Sequence, residues 1–200
     1  MGKLIISADN RPMAKFPFIM ASINSSSMNA PTCSNRRILL DRANSPEEAM
    51  SAKPKVIVDA MLYGNFQHVL WLDTDTILRK PVDGIWEGVE PGTFKIIYRP
   101  KCADETKFNT GVIAFGVSPE IIKFVMRWYE IARNPKRLLD EQEGFYKAYQ
   151  EHKQSVKMLE LPETYNDSKF RGDSVIWHGK GHHRKNKKYL KEVKKYAGFS

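Results

Sequence analysis

Cysteine is scarce in this chain: Cys33 and Cys102 are the only two among 200 residues. Two cysteines cannot build the disulfide framework of a small secreted domain, and this pair lacks metal-binding spacing. Long apolar runs are also missing, and no segment approaches the roughly 20 residues that cross a bilayer. The opening Met1-Gly2-Lys3-Leu4-Ile5-Ile6-Ser7 holds too short an apolar stretch for a secretory leader. Gly2 is not followed by the Ser or Thr that myristoylation needs, because position six is Ile6. There is no internal repeat and no long linker. These absences predict one cytoplasmic domain over residues 1–200, large enough for its own core.

Acidic residues are nearly absent from one stretch. Lys180, Arg184, Lys185, Lys187, Lys188, Lys191, Lys194 and Lys195 stand against Glu192 alone. Most of the net charge of +9 is therefore local, and the rest of the chain is near neutral. A basic C-terminal segment over 180–200 has three readings: a solvated helix, a diphosphate-binding element, or a surface for a polyanion such as nucleic acid.

What is present begins with His68-Val69-Leu70-Trp71-Leu72-Asp73-Thr74-Asp75-Thr76. The apolar run suits a strand buried on both faces of an α/β sheet. Side chains alternate along a strand, so Asp73 and Asp75 point the same way if strand geometry persists. Open α/β sheets bind ligands at the carboxyl ends of their strands. Hard carboxylate oxygens there suit Mg²⁺ or Mn²⁺. Two acids after a strand also begin ordinary turns, so the pair alone decides nothing.

Elsewhere strands and helices alternate. Leu4-Ile5-Ile6 and Ile38-Leu39-Leu40 read as strands, with a helix over Phe16 to Asn29 between them. The polar stretch Ser7-Ala8-Asp9-Asn10-Arg11-Pro12 reads as a ligand-facing loop. Ser45-Pro46-Glu47-Glu48 has the cap, proline and acids of a helix start, and Pro54 breaks or restarts that pattern before a helix over Val56 to Tyr63. Further strands are predicted at Phe94 to Tyr98, Phe108 to Gly116, Val156 to Leu161 and Ser174 to Trp177. Helices are predicted from Ser118-Pro119 to Arg133, from Leu138 to Gln150, and from Asn186 onward. This order predicts a mostly parallel sheet flanked by helices.

Three further clusters carry chemistry. Asn109-Thr110-Gly111 interrupts an apolar strand, and a glycine there marks a bulge, a close backbone approach or a plain turn. Asn109 offers the donor and acceptor that sugar hydroxyls require. Asp140-Glu141-Gln142 opens a helix, where acids are also expected from the helix dipole alone. His178 ends a strand and is followed by Gly179, Lys180, Gly181, His182, His183 and Arg184. Imidazole is a metal ligand, and Lys180 and Arg184 can neutralise phosphate oxygens. His178 is the favoured ligand because it sits at the strand end, while His182 and His183 read as surface.

Taken in order, these motifs resemble the nucleotide-diphospho-sugar glycosyltransferases of the GT-A fold, in particular the glycogenin-like and galactosyltransferase-type retaining families. Leu72-Asp73-Thr74-Asp75-Thr76, Phe108-Asn109-Thr110-Gly111-Val112-Ile113 and Asp140-Glu141-Gln142 match that family's successive elements. The late His-x-x-Gly-x-x-Lys of glycogenin-like members is met by His178 and Gly181, with Arg184 in place of the lysine and Lys185 adjacent. The segments from Lys53 to Asp75 and from Leu161 to Asn166 share the likeness. The resemblance implies Mn²⁺ (or Mg²⁺) held by Asp73, Asp75 and His178. It implies a nucleotide-sugar donor, a UDP-sugar by family habit, contacted by Ser7, Ala8, Asp9, Asp73, Lys180, Gly181 and Arg184. Asn109, Asp140, Glu141 and Gln142 would line the sugar and the acceptor, with retention of configuration.

The acceptor stays open among glycan, protein and nucleic acid, and the basic segment makes modified bases of DNA an alternative. A phosphatase of the haloacid dehalogenase type also places Asp-x-Asp after an apolar strand. That reading needs a late pair of acids, and here the late strand ends in His178 instead.

Overall fold

A computed structural model describes residues 2–9, 17–40, 46–134 and 140–198. The order is β1 (Lys3–Asp9), α1 (Pro17–Asn29), β2 (Ser34–Leu39), α2 (Pro46–Ser51), α3 (Lys53–Tyr63), β3 (His68–Leu72) and β4 (Thr76–Leu78). Then follow β5 (Thr93–Tyr98), β6 (Phe108–Gly116), α4 (Pro119–Ala132), α5 (Asp140–His152), β7 (Lys157–Glu160), β8 (Ile176–His178) and α6 (Lys187–Ala197).

Six strands form the central sheet in the order β2-β1-β3-β6-β5-β7, and β4 pairs with β8 in a small second sheet. β1 runs parallel to β2 and β3, and β5 runs parallel to β7. Only β6 runs against its neighbours β3 and β5. The sheet is thus mostly parallel, and the carboxyl ends of β1 and β3 share one edge with the start of β6. This is the α/β architecture that the alternating pattern predicts.

The main core lies where α3, α4 and α5 cover one face of the sheet. Leu4, Ile6, Val69, Trp71, Phe94, Ile96, Phe108, Phe115, Phe124, Trp128 and Phe145 all belong to it. Ile5, Leu70, Leu72, Val112 and Ala114 face the other way and pack with Val82, Ile85 and Ile176. Both faces are covered, which is why these strands read as continuous apolar runs. A third cluster joins Ala21 of α1, Ile77, Phe170 and Trp177 to Tyr189, Val193 and Tyr196 of α6.

Local chemistry sets several boundaries. Ser118 caps α4 by accepting from the Ile121 amide at 3.3 Å, and Asn186 caps α6 by accepting from the Lys188 amide at 2.9 Å. Pro54 sits in the first turn of α3, where its missing N–H costs nothing.

Three expectations change. β1 continues through Ser7, Ala8 and Asp9, so these are strand rather than loop residues; pairing with β2 as far as Leu39 extends it. Strand geometry does not persist through the two aspartates, because β3 ends at Leu72. Asp73 to Thr76 is a tight turn in which the Thr76 amide and hydroxyl both donate to the Asp73 carbonyl, at 3.1 and 2.7 Å. The basic helix expected from Asn186 forms as α6, but it is not simply solvated, because Tyr189, Val193 and Tyr196 are buried. Residues 10–12, Phe16, Ser45 and Leu138, where other sequence boundaries were placed, lie outside the described residues.

Candidate metal and donor site

The turn after β3 brings its two carboxylates to the end of β8. Ligand atoms of Asp73, Asp75 and His178 all lie within 4.8 Å of one another. His178 Nε2 stands 3.2 Å from Asp75 Oδ1 and 3.7 Å from Asp73 Oδ2. Adjacent donors of an octahedral Mg²⁺ at ligand distances of about 2.1 Å are about 3 Å apart, so a small contraction accommodates such an ion. Two hard oxygens and one imidazole fit Mn²⁺ or Mg²⁺.

Each of these side chains has its other polar atom occupied by protein. Asp73 Oδ1 accepts from Trp71 Nε1 at 2.8 Å and pairs with Lys53 Nζ at 3.1 Å. Asp75 Oδ2 receives Arg184 Nε at 2.8 Å and Nη2 at 2.7 Å. His178 Nδ1 lies 2.8 Å from Asn166 Oδ1. The three atoms left over, Asp73 Oδ2, Asp75 Oδ1 and His178 Nε2, are the three that converge. Burial would raise the Asp75 carboxyl pKa, but the charges and hydrogen bonds of His178 and Arg184 outweigh it and hold the group well below the usual carboxylate range.

The backbone of Asp75 is clamped as well. Its carbonyl accepts from the Gly179 amide at 2.9 Å and the Tyr189 hydroxyl at 2.6 Å. Burial, then the Asp75 charge, keeps the Tyr189 phenol far above its ordinary pKa, so it remains a donor. Gly111 closes the other side of His178: a Cβ there would lie 2.3 Å from His178 Cε1. The β5–β6 register slips beside it, pairing Ile96 with Ile113 but Ile97 with Asn109. Thr110 to Val112 therefore leave β5 locally, and the Gly111 carbonyl accepts from the Asp73 amide at 2.8 Å. The glycine marks the strand irregularity and close approach that its position in the sequence suggested.

Behind Asp73 lies a buried charged network. Lys53 Nζ meets Glu141 Oε2 at 3.3 Å and donates to the Thr110 carbonyl and hydroxyl at 3.2 Å each. Thr110 Oγ1 in turn donates to Glu141 Oε2 at 2.9 Å. Burial is the largest influence on Glu141 and raises its pKa, with Lys53 opposing. Burial would lower the Lys53 pKa, but Asp73 and Glu141 overcome it, so the ammonium stays charged. Glu141 Oε1 and Gln142 Oε1 are buried without a hydrogen-bond partner among the described residues. Buried acceptors without donors are costly unless a ligand supplies them.

Asp9 Oδ2 accepts from Thr74 Oγ1 at 2.7 Å, which ties the end of β1 to the metal turn. Ser7 lines a cavity of about 160 Å³ with Ser22, Ser26, Asn35 and Arg37. Asn109 Oδ1 accepts from the Gly111 amide at 3.1 Å, so it shapes the strand beside the site. Arg184 is committed to Asp75, a role its sequence position did not announce. Lys180 is exposed as a residue, yet desolvation of its ammonium, aided by Arg99 and Lys53, pulls its pKa below the ordinary value against Asp73 and Glu141. Asp140 stands at the start of α5 beside Glu141, and Gly181 has the positive φ of +57° that favours glycine.

Sequence reasoning did not single out Lys53, Thr110, Asn166 or Tyr189 as site residues. Lys53 and Asn166 entered only inside longer matched segments. One lysine before a helix proline, or one tyrosine in a basic helix, carries no signal until the fold brings it to the site.

With this geometry in view, comparison with known proteins gives the fold. No protein-family model matches the sequence, and no match among curated protein sequences was found. A solved glycosyltransferase involved in the glycosylation of the major capsid of PBCV-1 superposes with a TM-score of 0.70, covering 98% of this chain and 98% of that chain. The two share 11% sequence identity, so the likeness is one of fold. The chain has a glycosyltransferase fold of the GT-A type, with a candidate Asp-x-Asp metal site at the carboxyl edge of its sheet.

Proposed function

We propose that the protein is a metal-dependent glycosyltransferase that moves a sugar from a UDP-sugar to an acceptor hydroxyl with retention of configuration. The observation that carries this reading is the convergence of one ligand atom each from Asp73, Asp75 and His178. A bound Mn²⁺ or Mg²⁺ supplies Lewis-acid stabilisation of the departing nucleoside diphosphate. Lys180 donates to the diphosphate oxygens, and Gly181 lets the backbone approach them. Ser7, Ala8 and Asp9 hold the nucleoside beside the metal turn. Glu141 Oε1 and Gln142 Oε1 accept from sugar hydroxyls, which gives their buried oxygens the donors they lack. Asn109 and Asp140 line the same region. Retention rests on the resemblance to the retaining families, and NMR of the product's anomeric centre tests it. The free state of Cys33 and Cys102 agrees with a reducing, cytoplasmic setting. No helix among the described residues is long and apolar enough to cross a membrane.

Calorimetric titration of UDP with and without Mn²⁺ tests the donor site. Metal-dependent binding that Asp75→Ala abolishes is the expected result. Equal binding by wild type and Asp75→Ala would overturn the assignment.

A second reading of the acceptor has an observation of its own. Lys187, Lys188, Lys191 and Lys194 are exposed on one side of α6, and among the described residues no acid pairs with them. Glu192 is half-buried and turned to Arg79, at 3.9 Å. A face of lysines suits the phosphate backbone of nucleic acid. If four lysines each meet a phosphate, the logarithm of duplex DNA affinity falls with the logarithm of salt with a slope near −3.6. Replacing all four with serine should flatten it, and a salt-independent affinity in the wild type removes this reading.

A further inference from the structure

We propose that Asn166 is a positioning residue of the metal site: its side-chain carbonyl holds the His178 imidazole as the Nδ1–H tautomer and leaves Nε2 bare toward Asp73 and Asp75. The inference deepens the metal-dependent reading above and rests on it for its functional meaning.

A neutral imidazole has one N–H and one lone pair, and the partner of one nitrogen decides the state of the other. His178 Nδ1 faces Asn166 Oδ1 at 2.8 Å. A carbonyl oxygen only accepts, so Nδ1 carries the hydrogen. In the neutral ring Nε2 is then the lone-pair nitrogen, open to a cation; in the imidazolium the same nitrogen donates to Asp75 Oδ1, 3.2 Å away. The opposite tautomer would aim an N–H at the carboxylates and could not ligate a cation there.

The backbone fixes this contact. The Asn166 amide donates to the Glu163 carbonyl at 3.1 Å. The next residue is laced to β8: the Asp167 amide donates to the Ile176 carbonyl, and the His178 amide donates to the Asp167 carbonyl, both at 3.0 Å. Asn166 and His178 therefore keep a constant offset. Gly111 packs closely against the ring, where a Cβ would lie 2.3 Å from Cε1 and 2.8 Å from Nδ1. Asn166 is buried, and its Nδ2 has no hydrogen-bond partner among the described residues. A buried amide with one half unpaired is tolerated where the other half has a function.

An amide also suits the charge of the site. The linked network around the site already holds three carboxylates, those of Asp73, Asp75 and Glu141, against Lys53 and Arg184. A carboxylate at 166 would orient the ring equally but add a fourth acid. The neutral carbonyl orients without charge, as ligand-supporting groups around metal-binding histidines do.

The test reads the tautomer directly. ¹⁵N NMR of imidazole-labelled protein without added metal, above the histidine titration range, distinguishes the two forms, with His178 assigned by its loss in His178→Gln. Wild type and Asn166→Asp should show His178 as Nδ1–H, and Asn166→Leu should lose that preference. Mn²⁺ affinity, read by electron paramagnetic resonance, should fall by about 10- to 100-fold in Asn166→Leu. In Asn166→Asp it should stay within a few-fold of wild type. An Nε2–H tautomer in the wild type overturns the proposal, as does wild-type Mn²⁺ affinity in Asn166→Leu. If Asn166→Leu fails to fold, the wild-type and Asn166→Asp spectra still decide the tautomer. If the wild type binds no Mn²⁺ yet shows the Nδ1–H form that Asn166→Leu loses, the orientation stands and the metal-dependent reading fails.

Discussion

At the scale of single residues, the site depends on small departures from what helices and strands ordinarily contain. Gly111 is the clearest. An added methyl would overlap the His178 ring, 2.3 Å from its Cε1. Gly111→Ala should cost about 1–3 kcal/mol of stability, as overpacking does, and should weaken Mn²⁺ binding in the same variant. Thermal melting and a metal titration check both halves. Lys53 makes the opposite point. Its ammonium is 3% exposed and neutralises Asp73 and Glu141 together. Lys53→Met should cost about 3–5 kcal/mol, because it strands buried carboxylates rather than merely deleting a contact. Chemical denaturation measures it. Asp73, Asp75 and His178 were legible in the chain because they stand at or just past the ends of apolar stretches. Lys53 was not legible, because its partners lie far along the sequence and only tertiary packing joins them.

At the scale of elements, the long strands and amphipathic helices could be read from periodicity, and the short strand β4 could not. β4 has three residues, too few for an alternating pattern to register, whereas β8 was expected at Ser174 to Trp177 and forms at Ile176–His178. Ser7 to Asp9 looked like loop because polar residues usually end strands, yet pairing with β2 extends β1 through them. The turn between Asp73 and Thr76 overrode strand alternation, although the carboxylates still converge. The loop before β8 carries its own acid-sensitive lock. Asp167 is buried and accepts from the Lys169 and Arg171 amides at 2.8 and 2.7 Å and from the Ser174 hydroxyl at 2.6 Å. Burial raises its pKa, but these hydrogen bonds win and lower it. A lowered carboxyl pKa gives stability that is present above the unfolded value of about 3.9 and is lost as pH falls through the folded value. Asp167→Asn should therefore cost about 1–3 kcal/mol at neutral pH and show a shallower loss of stability below pH 4 than wild type. Urea denaturation across pH measures both.

At the scale of the whole molecule, the basic C-terminal segment is two things at once. Its outer face carries the charge, and its inner face is core. Asn24 Nδ2 donates to the Tyr196 carbonyl at 2.7 Å, and Tyr189 stacks between Phe18 and Phe170. Serine in place of Lys187, Lys188, Lys191 and Lys194 should leave stability almost unchanged, within about 0.5 kcal/mol per exposed site. Tyr189→Phe keeps the packing but removes the hydroxyl from the Asp75 carbonyl. It should cost about 1 kcal/mol in melting experiments and loosen metal binding. The local excess of lysine was visible in the sequence. The docking of its buried face was less so, because three apolar residues within a lysine-rich helix do not say which partner they meet.

The three hydrophobic clusters have a consequence for how the molecule opens. Trp71 and the helices behind Glu141 are rooted in the largest cluster, whereas Trp177 and Tyr189 are rooted in the smallest. The site is therefore a seam between two cooperative units of unequal depth. Hydrogen exchange should find the amides of β8 and α6 opening at lower free energy than those of β3 and β6. A ligand that spans the seam should slow exchange most in α6, although α6 contributes no ligand atom of its own.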